Sequence, residues 1–291
     1  MSLQPFTIEI AILTNLKIIG NINGTVFDYK NKNNGVFNVR FTQNKATFDN
    51  FNFIFNKCTF QYNHGCIFRT ELNCYKSSRT DSTSIVFNDC NFYDNTVKLV
   101  HAYHRNDMVA ENFDCSTISF KNCNFINNYG LFYSFNSQIY FDNCYISKLD
   151  KYSDITMNNS TIESTFYAQN GYDYVNIKNS IFENINIKGS MPLIEGINLK
   201  LDITNTTFTD CYSNSDYLFY IKSCNNVMSI NVKNSTFSKT SNLFRGNYCG
   251  YNISDSVFKN IAIKNTIPVI SDSAYSHFTI SNTEFKDLKY Y

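Results

Sequence analysis

Phe87-Asn88-Asp89-Cys90-Asn91-Phe92, Phe120-Lys121-Asn122-Cys123-Asn124-Phe125 and Phe141-Asp142-Asn143-Cys144-Tyr145-Ile146 are copies of one six-residue unit. The unit reads apolar, any residue, Asn or Asp, small, any residue, apolar. Outward from these three, further copies start at Phe55, Met157, Ile177, Ile203, Val232, Ile253 and Ile280, ten in all. Nine of the ten carry Asn or Asp at the third position, Lys57 being the exception, and all ten carry Cys, Ser or Thr at the fourth. The copies lie 16 to 33 residues apart. A fixed unit at variable spacing is what a coil with inserted loops produces.

Two residues before the unit stands another apolar residue, as in Val175-Asn176-Ile177 and Leu201-Asp202-Ile203. Period-two alternation describes a strand with one buried face. The Asn tolerates a left-handed backbone and bends the chain, and the next apolar residue opens a second strand. A third apolar cluster follows, such as Leu218-Phe219-Tyr220-Ile221. Three short strands per turn make a triangular coil whose rungs bury their apolar faces only on one another. The expectation is therefore an all-β, right-handed parallel β-helix of about ten rungs. It forms one domain over 1–291, with clear units over 36–288 and first rungs or a cap within 1–35. The third-position residues Asp89, Asn122, Asn143, Asn159, Asn179, Asn205, Asn234, Asp255 and Asn282 should form one column, their amides buried and paired up and down the stack. A leucine-rich-repeat solenoid also fixes an Asn per repeat, but it needs a leucine-dense unit of steady length.

Composition agrees. The 291 residues include 27 Phe and 21 Tyr but no Trp, three Pro and ten Gly, and β-branched and aromatic residues suit a pleated surface. The net charge is +1 without a basic stripe, so no nucleic-acid partner is expected. No apolar run is long enough to span a bilayer, and Phe6 to Leu13, interrupted by Glu9, makes a poor secretory signal. The related segments Ile181–Ile194 and Val257–Ile270 should share one rung geometry, with Phe182 and Phe258 inside and Pro192 and Pro268 opening the next strand.

The units resemble the rungs of pectate-lyase-type β-helices, which carry an internal Asn ladder at one turn. Three segments also resemble repeats of polymorphic outer-membrane proteins and their protist relatives, which pair Phe-x-x-Asn with a Gly-containing apolar strand. Phe60-Gln61-Tyr62-Asn63 precedes Gly65-Cys66-Ile67, and Phe125-Ile126-Asn127-Asn128 precedes Gly130-Leu131-Phe132. Phe92-Tyr93-Asp94-Asn95 matches the first half alone. The resemblance implies a surface or secreted setting.

Chemistry-bearing residues are sparse. Cys58, Cys90, Cys123 and Cys144 occupy a position that later units fill with Ser or Thr, which argues for size over reactivity. Glycosylation sequons at Asn23, Asn158, Asn159, Asn205, Asn234 and Asn252 are no more than an Asn-rich chain yields by chance. Glycoside hydrolysis needs two facing carboxylates, and none recur at matched positions. Asn63-His64-Gly65 is similar to one element of the polygalacturonases, whose companion elements are missing. The long spacings after Phe55 and Phe87 place polar insertions at 69–84 and 101–116 on adjacent rungs, and insertions are where repeat scaffolds carry function. Arg69, Arg79, His101, His104, Arg105 and Asp107 are the candidate binding residues. No metal or cofactor is expected. The leading expectation is a non-catalytic, adhesin-like β-helix module, extracellular or at the cell surface, that binds a glycan or a host or cell-surface protein. A degenerate polysaccharide lyase or hydrolase, or a structural spacer of a longer solenoid, is the alternative.

Overall fold

The computed structural model describes residues 7–12, 16–32, 36–41, 52–64, 66–73, 83–96, 98–105, 116–135, 137–149, 166–168, 173–187, 192–214, 217–223, 228–263 and 270–290. Its described strands form three ten-stranded sheets in which each strand pairs with the one three places on, or four at the last step where the short strand Ala262–Ile263 intervenes, plus a two-stranded pair near the C-terminal end. All pairings are parallel, for example Ser116–Lys121 with Gln138–Asp142. The first sheet runs from Thr7–Ile12 to Ser271–Ala274, the second from Leu16–Ile19 to His277–Ser281, and the third from Thr25–Lys32 to Glu284–Lys286. The chain is a parallel β-helix of ten rungs.

Two bends set each of the nine rungs after the first. Lys57, Asp89, Asn122, Asn143, Asn179, Asn205, Asn234, Asp255 and Asn282 have φ between 46° and 56°. Five residues later, Tyr62, Asp94, Asn127, Lys148, Asn184, Asp210, Lys239, Asn260 and Asp287 repeat the left-handed conformation. Between the two bends lies the third sheet, whose inward residues stack ring on ring. Phe60 and Phe92 are 5.2 Å apart, Phe92 and Phe125 4.8 Å, and Phe208 and Phe237 4.8 Å, with planes within 12°. In the second sheet Phe55, Phe87 and Phe120 stack in the same way. These side chains are fully buried and form the core.

The third-position column exists but stands outside. Asn122, Asn143, Asn179, Asn205, Asn234, Asp255 and Asn282 are exposed, so their amides are not the buried ladder the sequence suggested. They still join side to side. Nδ2 of Asn143 donates to Asn122 at 2.8 Å, that of Asn234 to Asn205 at 2.8 Å, and that of Asn282 to Asp255 at 2.7 Å. The buried column is the fourth position. The backbone N–H groups of Cys144, Ser180, Thr206 and Ser235 donate to the hydroxyl one rung on, at 3.1, 3.4, 3.2 and 3.2 Å. Each hydroxyl donates in turn to the carbonyl two residues back, as Ser180 does to Lys178 at 2.7 Å. Thiols do the same work in the earlier rungs, Cys123 donating to Lys121 and Phe87 at 3.3 Å. The position therefore demands a donor as well as small size.

An internal Asn ladder does occur, at the second bend, in the Phe-x-x-Asn elements. Asn63, Asn95 and Asn128 are each 1% exposed. Asn95 accepts from the Asn63 N–H at 3.1 Å and donates to the Phe60 carbonyl at 3.2 Å, and Asn128 donates to Phe92 at 2.8 Å. Later rungs put Leu149, Ile185, Cys211, Thr240 and Ile261 there, buried as well.

One repeat unit is not a rung. Gln138–Asp142 pairs directly with Tyr174–Lys178, and Tyr145–Ser147 with Ile181–Ile187, so no rung intervenes. Asn179 donates to Asp142 at 2.8 Å across the same step. Met157 to Ile162, with Asn159, falls in the insertion between Tyr145–Ser147 and Phe166–Ala168, outside the described residues, and Asn159 cannot stand in the column between Asn143 and Asn179. The tenth rung is instead the first, built on Leu16–Ile19 and Thr25–Lys32. The longest spacing is thus from Phe141 to Ile177, and the insertions after Phe55 and Phe87 are not the longest. The two related segments place Phe182 and Phe258 in the core, with left-handed Asn184 and Asn260 at matching points. Pro192 is buried two residues before the strand Ile194–Ile197, and Pro268 lies outside the described residues.

Three outcomes follow. Asn95→Ala strands the Asn63 N–H and the Phe60 carbonyl in the core and should cost about 2–4 kcal/mol. Asn205→Ala loses the tolerance for a left-handed bend and should cost about 1–2 kcal/mol, with Asn205→Gly nearer neutral. Urea unfolding of the three variants gives this order, and an equal loss at both sites would refute the assignment of inner and outer columns. Deleting 152–162 should leave one cooperative transition and an unchanged circular dichroism spectrum, since no rung is removed. Lastly, burial raises the Cys211 thiol to about 12 and the Cys249 thiol to about 11. Cys58, Cys90, Cys123, Cys144, Cys211 and Cys249 are all buried, so the reagent cannot reach them, and they should escape iodoacetamide at neutral pH until urea is added, as mapped by mass spectrometry.

Candidate functional site

The first sheet carries the candidate residues. Its strands open on two buried apolar residues followed by one that faces outward: Ile67-Phe68-Arg69, Leu99-Val100-His101, Leu131-Phe132-Tyr133, Leu193-Ile194-Glu195, Leu218-Phe219-Tyr220 and Leu243-Phe244-Arg245. The register aligns these third residues in one column. Arg69 pairs with His101, His101 with Tyr133, Tyr133 with Tyr167, Tyr167 with Glu195, Glu195 with Tyr220, Tyr220 with Arg245, and Arg245 with Asp272. Adjacent members stand about 4.8 Å apart along the axis, the spacing of paired strands.

Arg69 and His101 are therefore strand residues, not loop residues. Arg69 is in Phe68–Asn73 and His101 in Lys98–Arg105, which also contains His104 and Arg105. A strand sits there because Phe68, Val100 and Ala102 alternate inward into the core. The two strands do lie side by side, with Arg69 opposite His101 and Arg105 opposite Asn73. Arg79 and Asp107 lie outside the described residues.

The column is aromatic and charged together. The His101 and Tyr133 rings are 5.4 Å apart. The Arg245 guanidinium lies 5.7 Å from the Tyr220 ring and 5.9 Å from that of Tyr217, within cation–π reach. Its Nε is 4.0 Å from an Asp272 oxygen. At the neighbouring corner Tyr248 and Tyr275 stack at 5.0 Å and are 42% and 77% exposed. Sequence reasoning passed over Tyr133, Tyr220, Arg245, Tyr248 and Tyr275, because it sought function in insertions. The signal was present in the apolar-apolar-X step that opens each strand.

Glu195 and Asp272, the carboxylates of this column whose side chains are described, do not form a hydrolytic pair. Glu195 and Asp272 are three rungs apart, about 14 Å at the strand spacing, beyond the separation that an inverting glycosidase uses. On the second sheet both oxygens of Asp202 are engaged, by the Tyr174 hydroxyl at 2.5 Å and the Asn231 amide at 2.6 Å. Burial, and next the hydrogen bond to Asp202, raise the Tyr174 hydroxyl far above its ordinary pKa. That sheet also bears a shallow groove of about 360 Å³ over Ser119, Tyr140 and Asn176, rimmed by Lys121, Asp142 and Lys178. Among the described residues, no three His, Cys, Asp or Glu side chains converge as metal ligands.

No family model and no curated protein sequence matches the chain. Among solved structures it is similar to the tailspike protein 3 of bacteriophage CBA120, with 11% identity and a TM-score of 0.41 over 98% of this chain and 52% of that one. It is also similar to PfbA, a surface adhesin of Streptococcus pneumoniae, with 10% identity and a TM-score of 0.30 over 95% and 84% of the two chains. The chain thus spans about half the length of the tailspike protein. The likeness extends to the fold alone.

Proposed function

We propose that this chain is a non-catalytic binding module that holds an extended glycan along the outer face of the first sheet, in an extracellular or cell-surface setting. The observation that carries the reading is the register column from Arg69 to Asp272, in which Arg69, His101, Tyr133, Glu195, Tyr220, Arg245 and Asp272 present aromatic or charged side chains. Tyr faces pack against the C–H faces of sugar rings, while Arg, His and carboxylate groups bond the hydroxyls between them. A regularly spaced row suits a polymer better than a compact ligand. The residues sit on strands locked by a packed core, so little ordering is needed on binding. Glycan chains are displayed mainly outside cells, which motivates the proposed setting.

The test is a glycan array with the full chain, followed by calorimetry on the best ligand. Removing one stacking platform of about 1–1.5 kcal/mol should weaken binding about tenfold in Tyr220→Ala. Arg245→Ala should weaken it comparably, and circular dichroism should be unchanged in both. Binding that survives both substitutions would move the site off this face, and turnover of a polysaccharide by the wild type would replace the binding reading with an enzymatic one.

A further inference from the structure

The buried fourth-position column is built from two kinds of donor, and they are not mixed. Following the register, it runs Thr25, Cys58, Cys90, Cys123, Cys144, Ser180, Thr206, Ser235, Ser256 and Thr283. Thiols hold four successive rungs, and hydroxyls hold every other place. Hydroxyls meet the need for a small donor wherever they stand, so that need does not explain why the thiols form one unbroken block. A lone buried thiol is a packing residue. A thiol whose neighbour in the column is another thiol has a reaction open to it.

The geometry suits that reaction. Neighbouring members stand one strand spacing apart, about 4.8 Å, inside the range of about 4.4–6.8 Å between Cα atoms that a disulfide spans. The backbone holds them there, the Asn124 N–H donating to the Cys90 carbonyl at 3.0 Å and the Tyr145 N–H to the Cys123 carbonyl at 2.9 Å. The sulfurs touch through hydrogen bonds, Cys58 with Cys90, Cys90 with Cys123, and Cys123 with Cys144. All four are free cysteines in this structure. We propose that the block is a redox staple, in which Cys58 bonds to Cys90 and Cys123 to Cys144 when the chain folds in the presence of a low-molecular-weight disulfide. This pairing uses every thiol of the block, whereas a Cys90–Cys123 bond leaves Cys58 and Cys144 without a partner.

Two exchange steps balance the reaction for each bond. One protein thiolate attacks the small disulfide, forms a mixed disulfide and expels one small thiolate. The neighbouring protein thiolate then attacks the protein sulfur of that mixed disulfide and expels the second. The small disulfide is reduced to two thiols, which take up the two protons that the cysteines lose. Burial sets the timing. The four cysteines are at most 3% exposed, so exchange belongs to folding, before neighbouring rungs close, and the same burial then shields the bonds from reductant. Loss of the S–H donors strands none of the carbonyls two residues back. The oxygens of Asn56, Asn88, Lys121 and Asp142 also accept from the N–H groups of Gly20, Lys57, Asp89 and Asn122, at 2.7, 3.0, 2.9 and 3.0 Å. The two bonds join positions 32 and 21 residues apart and tie neighbouring rungs covalently. The staple is independent of the glycan-binding reading.

The test is to unfold the full 291-residue chain in urea and refold it twice, once with a phosphine reductant and once with oxidised and reduced glutathione. Each product is then denatured, alkylated with iodoacetamide, digested and mapped by mass spectrometry. After refolding under reductant all four thiols should be alkylated. After refolding with glutathione they should be protected, in crosslinked peptides joining Cys58 to Cys90 and Cys123 to Cys144. The urea midpoint should then be higher by about 1 M or more. Phosphine added to the folded, oxidised protein should leave both bonds intact until urea opens the coil. Cys90→Ser supplies the donor that later rungs use. It should free Cys58 for alkylation, keep the Cys123–Cys144 bond and lose about half of the gain in midpoint. Alkylation of all four thiols after oxidative refolding, a Cys90–Cys123 bond as the main product, or bonds from the block to cysteines outside it would each overturn the proposal. So would equal midpoints with both bonds formed. The crosslink map of the natural chain decides the pairing even where the variant fails to fold.

Discussion

The architecture depends on forcing the chain into a left-handed conformation twice in each of the nine rungs after the first, five residues apart. Those two bends fix the length of the strand between them, and that fixed length keeps Phe60, Phe92, Phe125 and their successors in one stack. An L-residue held left-handed costs about 1–2 kcal/mol unless its side chain is Gly, Asn or Asp. Asn and Asp fill eight of the nine first bends. The second bend accepts Tyr62, Lys148 and Lys239, so there the core stack overrides local preference. Everything outside this hinge varies freely, which is why rungs differ in length while their columns stay in register.

The fold was legible because its signals are local: a bend residue, a small residue and alternating apolar positions within six residues. Two errors share a physical origin. An added bend residue breaks the in-and-out alternation. In Phe120-Lys121-Asn122-Cys123 the inward places go to Phe120 and Cys123, so Asn122 is left outside beside Lys121. Counting inward positions from both strands, rather than assuming that amides need burial, gives this result. The false rung at Met157 to Ile162 arises because a chain with many Asn, Ser and Thr meets the motif by chance. Only pairing between distant strands, Gln138–Asp142 on Tyr174–Lys178, exposes it.

The outward column of the first sheet was less legible for a different reason. Its members are about one rung apart in sequence, separated by insertions of unequal length, and they come together only through strand register. Arg69 and His101 were picked out by their place near insertions, yet their strands face outward and pair directly. Tyr133, Tyr220 and Arg245 belong to the same column but stand beside no unusual stretch of sequence. A search for the residue after two buried apolar positions recovers them, because the first sheet turns away from the core at that step.

One outward residue per rung on the first sheet also makes the coil a ruler. Adding or removing a whole turn of chain lengthens or shortens the face by a single strand spacing, about 4.8 Å, and leaves every other contact in place. The reach of such a surface is then a matter of copy number within the gene, while its chemistry is set separately by which side chain each turn displays. Length and selectivity become independent variables, open to change by different kinds of mutation.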